Sequence, residues 1–267
     1  AEQLVAEGFK EIIVTGVNSG DFGYGTDENF YMLLKALDEV KGLERLRVSS
    51  IEPNLLTEEI IRFAATSKTL QPHFHIPLQS GSDRMLKTMR RRYKSDLYRS
   101  RVELNRELIP DACIGVDVIT GHPGETGELY QESFDFINSL DISYLHVFTY
   151  SERPNTHALS LKPIIPKSER KKRTHKLRRL SDKKRYEFDA RFVNETRPTL
   201  FEESNKDGLM FGWTNNYVRV AIPFNERLVN TIQDITLKEL TREGHYSGTL
   251  NETIQQEELA IAELIDG

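Results

Sequence analysis

The run Cys113 to Thr126, CIGVDVITGHPGET, decides the fold. Ile114, Val116, Val118 and Ile119 form an apolar stretch of the kind found in a strand buried on both faces. Gly121, Pro123 and Gly124 break it into a turn, and Thr126 is placed to cap a helix over Gly127 to Leu140. Strand, turn and helix make one step of an α/β fold, and such folds place their chemistry just past the carboxyl end of the strand. One polar side chain, Asp117, interrupts the apolar run. A carboxylate there must be paired or hydrogen-bonded, so Asp117 either anchors a neighbouring loop or faces a ligand.

The same step recurs upstream and downstream. Ala1 to Glu7 reads as a helix with Gly8 as its C-cap, and Glu11 to Thr15 (EIIVT) as a fully buried strand. A loop rich in glycine follows (Gly16, Gly20, Gly23, Gly25), then an amphipathic helix over Phe30 to Val40. Leu46 to Ile51 is the next strand and ends at Glu52-Pro53; Thr57 caps a helix from Glu58 to Ala65. His73 to Leu78 is a third strand, ending in QSGS, after which Ser82 opens a helix carrying Lys87, Arg90, Arg91, Arg92 and Lys94. Those cations suit a helix end or a phosphate or carboxylate contact. Ser95 to Leu108 is another helix, and Tyr144 to Tyr150 a fifth strand that runs into SERPNT. Strands alternate with helices and no run reads as a hairpin, which predicts a parallel sheet, open or closing toward a barrel.

Composition sets bounds on this reading. The 267 residues suffice for one large domain or two smaller ones, and 38% hydrophobic with 29% charged residues describes a globular chain with no apolar run long enough to span a bilayer. A net charge of −5 makes no whole-chain case for nucleic acid. The single cysteine, Cys113, excludes an internal disulfide and a cysteine-rich metal site within the chain. No signal peptide is visible. The opening AEQLVAEGFKEI reads as the second half of a helix entering a strand, so the chain is expected to be truncated upstream.

The pattern changes at Lys162. Pro163 and Pro166 precede a long helix, Lys167 to Arg191, with twelve Lys/Arg against four Asp/Glu, a net of +8, and an apolar stripe of Leu177, Leu180, Phe188 and Phe192. It suits either a solvated face on a docked helix or a surface for nucleic acid. Short alternating strands follow: Thr199 to Glu203, Leu209 to Thr214, Tyr217 to Ala221, Thr231 to Leu240 and Tyr246 to Leu250, with Asn215-Asn216 as a hairpin turn. They predict a small antiparallel barrel of the oligonucleotide-binding type, with Trp213, Tyr217 and Arg219 as contact residues. Against RNA, residues 196–250 carry six bases and seven acids, a net of −1. Residues 251–267 read as an acidic tail with five acids and no base. The expected organisation is a sheet domain over 1–165, a basic connecting helix over 166–195, a barrel over 196–250 and the tail.

Five motifs in order, TGVNSGDFGYG, VSSIEP, HIPLQSGSDRMLKTMRRRY, GVDVITGHPGET and YSERPNTHA, resemble the radical S-adenosylmethionine methylthiotransferases that modify tRNA adenosine 37 or a ribosomal protein. YSERPNT and VTGVNSG are most similar to the MtaB-like branch acting on threonylcarbamoyladenosine 37, although Asn155 stands where the family's YSxRxGT pattern has glycine. The resemblance implies a partial (βα) radical-SAM-type barrel lacking its first strand, followed by a TRAM-like RNA-binding barrel. It implies S-adenosyl-L-methionine and 4Fe–4S clusters as cofactors, with the anticodon loop of tRNA as partner to a monomeric, cytoplasmic enzyme without a membrane anchor. The cluster cysteines, spaced CxxxCxxC, are absent from this chain, which is therefore expected to supply no metal ligand and no catalytic side chain, and to be inactive alone. By resemblance, Gly16, Asn18, Ser49, Ser50, Glu52, Gln79, Ser80, Asp117, Gly121, Pro123 and Gly124 surround the cofactor. Arg91 and Arg153 are candidates for a cofactor carboxylate or RNA phosphate, and Trp213 and Arg219 for RNA.

Two other classes stay open. A metal-free barrel enzyme would use Glu52, His75, Asp117 or Glu125 as acid and base; His73 and His75 share a strand face but lack a third metal ligand. A non-catalytic RNA-binding module would use the basic helix and the small barrel.

Overall fold

In the computed structural model, which describes residues 1–250, the central strand forms as patterned. The acidic tail lies outside the described residues. Elements run in the order α1 (Glu2–Ala6), β1 (Glu11–Val14), α2 (Phe30–Asp38), β2 (Arg45–Val48), α3 (Glu58–Thr66), β3 (His73–His75), α4 (Asp83–Thr88), α5 (Ser95–Leu108), β4 (Cys113–Thr120), α6 (Gly127–Ser139), β5 (Tyr144–Thr149) and α7 (Lys167–Asp189). Then come β6 (Thr196–Phe201), β7 (Leu209–Thr214), β8 (Arg219–Pro223), β9 (Ile232–Leu240) and β10 (Tyr246–Leu250). They make two compact units, residues 13–185 and residues 1–12 with 186 onward. The helix α7 thus belongs to the first unit as far as Arg185, and α1 is grouped with the small barrel.

In the first unit β4 is flanked in parallel by β3 and β5, with His75 opposite Gly115 and Asp117 opposite His146. Its Ile114, Val116 and Val118 are buried. Gly115 lies under the Tyr144 ring, where a Cβ would stand 2.3 Å from the hydroxyl oxygen, so only glycine fits. Parallel bridges from Leu46 to Leu70 and from Ser50 to His75 join β2 to the β3 region, and β1 pairs with β2. All these strands therefore end on one rim. Two helices open at the expected caps: the side-chain oxygens of Thr57 and Thr126 accept from the backbone N–H of Ile60 and Leu129. Asn29 caps α2 in the same way, accepting from Met32 N–H.

Three expectations are corrected here. The first strand is not fully buried, because β1 lies at the sheet edge and Ile13 is 54% exposed. The basic run is not helical: α4 ends at Thr88, and Arg90 turns into the left-handed region at φ +58°, so Arg91, Arg92 and Lys94 lie in the irregular segment before α5. The charge of α7 is not simply a solvated face. Arg170, Arg173 and Lys184 are buried, and Lys184 Nζ donates to the carbonyls of Asn138 and Leu140 at the end of α6. The stripe Leu177, Leu180, Phe188 and Phe192 is buried as expected.

In the second unit β6 to β10 close into a barrel of order β10-β8-β7-β6-β9. Neighbours are antiparallel except β10 and β8, which pair in parallel, so the barrel is not wholly antiparallel. Tyr217 is not in a strand: it sits at φ +64° in the turn between β7 and β8, tightened by Thr214, whose hydroxyl donates to the Asn216 side chain at 2.6 Å.

Two stability predictions follow from buried polar contacts. Glu125 and Arg173 pair at 2.7 Å with side chains 2% and 7% exposed. Glu125→Ala leaves a buried guanidinium uncompensated and is expected to cost about 3–5 kcal/mol in urea denaturation, whereas the double change Glu125→Leu, Arg173→Met costs less than either single change. Asp38 accepts from Ser67 Oγ and Thr69 Oγ1, each at 2.6 Å. Burial works against its charge, but these bonds outweigh it and hold the carboxyl below its usual range. Its stabilisation is complete above the ordinary aspartate pKa and is lost as pH falls through the lower folded one. Asp38→Asn should therefore destabilise at neutral pH, and the gap to the parent chain should close in acid; a gap that is constant with pH would refute this account.

Candidate functional site

The rim gathers most of the polar residues singled out in the sequence. After β1, Asn18 accepts from the Glu52 backbone N–H at 3.2 Å through Oδ1 and donates to Asp21 at 2.8 Å. Glu52, beyond β2, accepts from Arg91 at 2.9 Å. Asn18, Glu52 and Arg91 thus form one chain of contacts that links the loops after β1 and β2 to the segment after α4. Ser49 N–H donates to Val14 O, and Ser50 O accepts from Ser19 N–H, which fixes the loops after β1 and β2 side by side. Gly16 is exposed, and a Cβ there would meet only ordinary contacts from 3.7 Å, so its backbone needs no glycine for space.

Beyond β3 the chain crosses over β4. Gln79 adopts φ +69°, donates its N–H to Asp117 O at 2.8 Å and accepts from Ile119 N–H at 2.9 Å. The buried hydroxyls of Tyr93 and Tyr98 donate to the carbonyls of Pro77, Leu78 and Ile76, and hold the segment down. Ser80 is fully buried, its hydroxyl against Ser133 of α6 at 3.3 Å, and Gly81 N–H donates to the same Ser133 oxygen at 2.7 Å. That contact makes Ser80 a support for the loop. Asp117 has its partner in His75, Nε2 to Oδ1 at 2.8 Å, and His146 stands edge-on to His75 at 5.4 Å. Burial, with the positive field of His75, holds His146 below its usual pKa. Among the described residues no group of His, Cys, Asp and Glu could hold a metal ion.

Past β4, Gly121 is at φ +79° and a Cβ would collide with the Arg170 side chain at 2.4 Å. Its N–H donates to Glu125 at 2.7 Å. Burial pushes the Glu125 carboxyl above the usual carboxylate range, opposed by Arg173 and by this N–H. Arg170 donates to the Tyr150 carbonyl and to Glu152, so α7 grips the loops after both β4 and β5.

Between those loops lies a cavity of about 470 Å³. Arg91 and Arg153, far apart in sequence, both line it, with Met89, Ile119, His122, Phe148 and Tyr150. His122 carries no sequence signal beyond its place in GHPGET. It is 8% exposed, its Nδ1 lies 2.8 Å from Pro123 O, and burial lowers its pKa. Since a carbonyl only accepts, Nδ1 carries the proton and the neutral ring keeps Nε2 as an acceptor.

On the barrel, Trp213 and Tyr217 stack at 4.3 Å with 12° between ring planes. The Arg219 guanidinium lies 4.8 Å from the Trp213 ring, and Glu202 accepts from Trp213 Nε1 at 3.0 Å. The three residues expected to touch RNA therefore form one cluster; Glu202, its acidic member, was not anticipated.

A 4Fe–4S cluster does not fit these residues. Cys113, the one cysteine of the sequence, is fully buried at the start of β4, at the end of the strand away from the rim. S-adenosylmethionine does fit the chemistry of the rim, which offers acceptors, donors and a cation on neighbouring loops. Among the described residues no helix is long and apolar enough to cross a membrane.

The Radical SAM superfamily profile matches residues 1–137. The threonylcarbamoyladenosine tRNA methylthiotransferase MtaB of Bacillus subtilis (strain 168) is 36% identical over 243 residues, covering 89% of this chain and 54% of that protein. The protein of the same name from Aquifex aeolicus (strain VF5) is 37% identical over 217 residues, 81% of this chain and 52% of its own length. The tRNA-2-methylthio-N(6)-dimethylallyladenosine synthase of Thermobifida fusca (strain YX) is 38% identical over 202 residues, 75% of this chain and 41% of its own. The chain spans about half the length of the curated relatives it matches. With α/β steps whose strands end on one polar rim, and a profile match over more than half its length, the chain belongs to the radical SAM superfamily.

Proposed function

We propose that this chain is the substrate-facing part of a tRNA methylthiotransferase that adds a methylthio group to C2 of a modified adenosine 37 in the anticodon loop. The observation that carries the reading is the contact chain Asn18–Glu52–Arg91 on the rim of the matched sheet, beside a cavity holding a second arginine, Arg153. The relatives' names give the reaction. S-adenosylmethionine, when bound, supplies the radical and the methyl group of such chemistry. Gly16, Asn18, Ser49, Glu52, Gln79 and Asp117 would hold it at the strand ends, with Ser80 and Gly121 shaping the loops beneath. The 4Fe–4S cluster would draw its ligands from residues other than these 267. The stacked Trp213 and Tyr217 with Arg219 would receive an RNA base, and the exposed cations of α7, among them Lys171, Lys172, Arg178 and Arg179, would face phosphate.

A second reading, a non-catalytic RNA-binding module, is favoured by the single buried cysteine. Two measurements separate them. After anaerobic incubation with iron and sulfide this chain alone should retain no 4Fe–4S absorbance; a stable cluster would overturn the ligand assignment. S-adenosylmethionine binding by calorimetry, weakened by Asn18→Ala, supports the enzyme reading, and no binding leaves the module. On either reading an anticodon stem–loop RNA should bind with affinity that falls as salt rises. Trp213→Ala should cost roughly 1–3 kcal/mol of binding, the worth of one stacked base. Unchanged affinity in that variant would remove the stack from the RNA surface.

A further inference from the structure

We infer that the outward face of the small barrel is a seat for an unpaired guanine of the bound RNA, with Glu202 as the residue that selects it. This rests on the RNA reading above and gives it a base identity. The face is laid out across three strands. On β7, Phe211 and Trp213 alternate with buried Met210, Gly212 and Thr214, so both point outward. Arg219 of β8 stands opposite Trp213 in the register, and its guanidinium lies 4.8 Å from each of the Phe211 and Trp213 rings. On the other side Glu202 follows β6, and its N–H donates to the Phe211 carbonyl at 2.9 Å. Tyr217 completes the group by stacking on Trp213.

The acid is the telling member. One Glu202 oxygen accepts from Trp213 Nε1 at 3.0 Å, and the other lies 3.5 Å from Arg219. A carboxylate has roughly four acceptor sites, so each oxygen keeps capacity for a further donor. The Glu202–Arg219 pair is long, with side chains 45% and 35% exposed, and such a pair contributes little to stability. The charge of the barrel points the same way. Residues 196–250 carry six bases and seven acids, so attraction to phosphate cannot carry recognition here and base contacts must. A carboxylate beside half-buried aromatic rings repels phosphate and any base edge led by an acceptor. Guanine alone among the four RNA bases has two neighbouring donors on its Watson–Crick edge, N1–H and the 2-amino group, and these match the two oxygens of one carboxylate. Adenine and cytosine place an acceptor beside their amino group, and uracil flanks its single N–H with two carbonyls. A base laid parallel to the Trp213 and Tyr217 rings brings that edge toward Glu202.

Trp213 is the one tryptophan of the chain, so quenching of its fluorescence reports a base on this stack. The test titrates the full chain with single-stranded RNA heptamers, UUUXUUU, in which X is G, A, C or U. The G heptamer should bind about 10-fold tighter than the others, the discrimination of one bidentate pair. Inosine at X lacks the 2-amino group and should lose most of that preference. Glu202→Gln can still accept from Trp213 Nε1 but turns an amide donor toward the base. It should unfold at the parent's urea midpoint, still be quenched by the heptamers, and bind the G heptamer no better than the rest. Equal affinity of the parent chain for all four heptamers would overturn this inference and leave the tRNA reading standing. So would a preference that inosine retains or that Glu202→Gln keeps. Binding of an anticodon stem–loop with no quenching by any heptamer would likewise overturn the inference alone. Failure to bind either kind of RNA would overturn the tRNA reading, and this inference with it.

Discussion

The rim of the sheet depends on the buried ion pair between Glu125 and Arg173. Glu125 takes both the Arg173 guanidinium and the Gly121 N–H on one carboxylate oxygen, each at 2.7 Å. Arg173 also donates to the Glu125 carbonyl at 2.8 Å and lies over the Tyr130 ring at 5.0 Å. One turn earlier, Arg170 covers Gly121 and reaches the Tyr150 carbonyl. The loops after β4 and β5 are therefore held by α7, a helix distant in sequence. A glycine at position 121 is required because an arginine side chain occupies the space a Cβ would take.

That arrangement sorts the charge of α7. Arg170, Arg173 and Lys184 face inward, where buried cations persist only if paired or hydrogen-bonded to carbonyls. Lys171, Lys172, Arg178 and Arg179 point to solvent. A count of twelve cations over residues 167–191 cannot tell these roles apart, and the two expectations for the helix, docked face and polyanion surface, describe different sides of it.

What was legible in the sequence was local. The apolar run of β4, the capping residues Thr57 and Thr126, and the stripe of α7 all follow from neighbours within a few positions. What was not legible depends on distant partners or on backbone turns without a composition signal. Asp117 finds His75 at a separation of 42 residues. Ser80 looked like a ligand group because it is polar at a strand end, yet Ser133 takes its hydroxyl. Four of the five residues Arg90 to Lys94 are good helix formers, and the left-handed backbone at Arg90 removes the run from the helix. Parallel closure of the barrel between β10 and β8 leaves no trace in strand alternation, because alternation reports faces and not directions.

The face of β3 to β5 that bears His75 and Asp117 explains why the chemistry gathers at the strand ends. It carries His73, His75, Asp117, Tyr144 and His146 where an ordinary barrel core would carry branched aliphatics. The side chains satisfy one another: His73 Nε2 lies 3.0 Å from Tyr144 Oη and His75 pairs with Asp117. Burial, with the field of Arg47, keeps His73 well below its usual pKa and so neutral. Gly115 gives Tyr144 the space to lie across β4. Such a network is costly to break, because each member removed strands another in low dielectric. His73 and Tyr144, committed to one another, have little capacity left for a ligand above them. The uncommitted donors and acceptors, Arg153, Nε of Arg91 and Nε2 of His122, lie one step further along the strands, where the loops held by α7 leave open space.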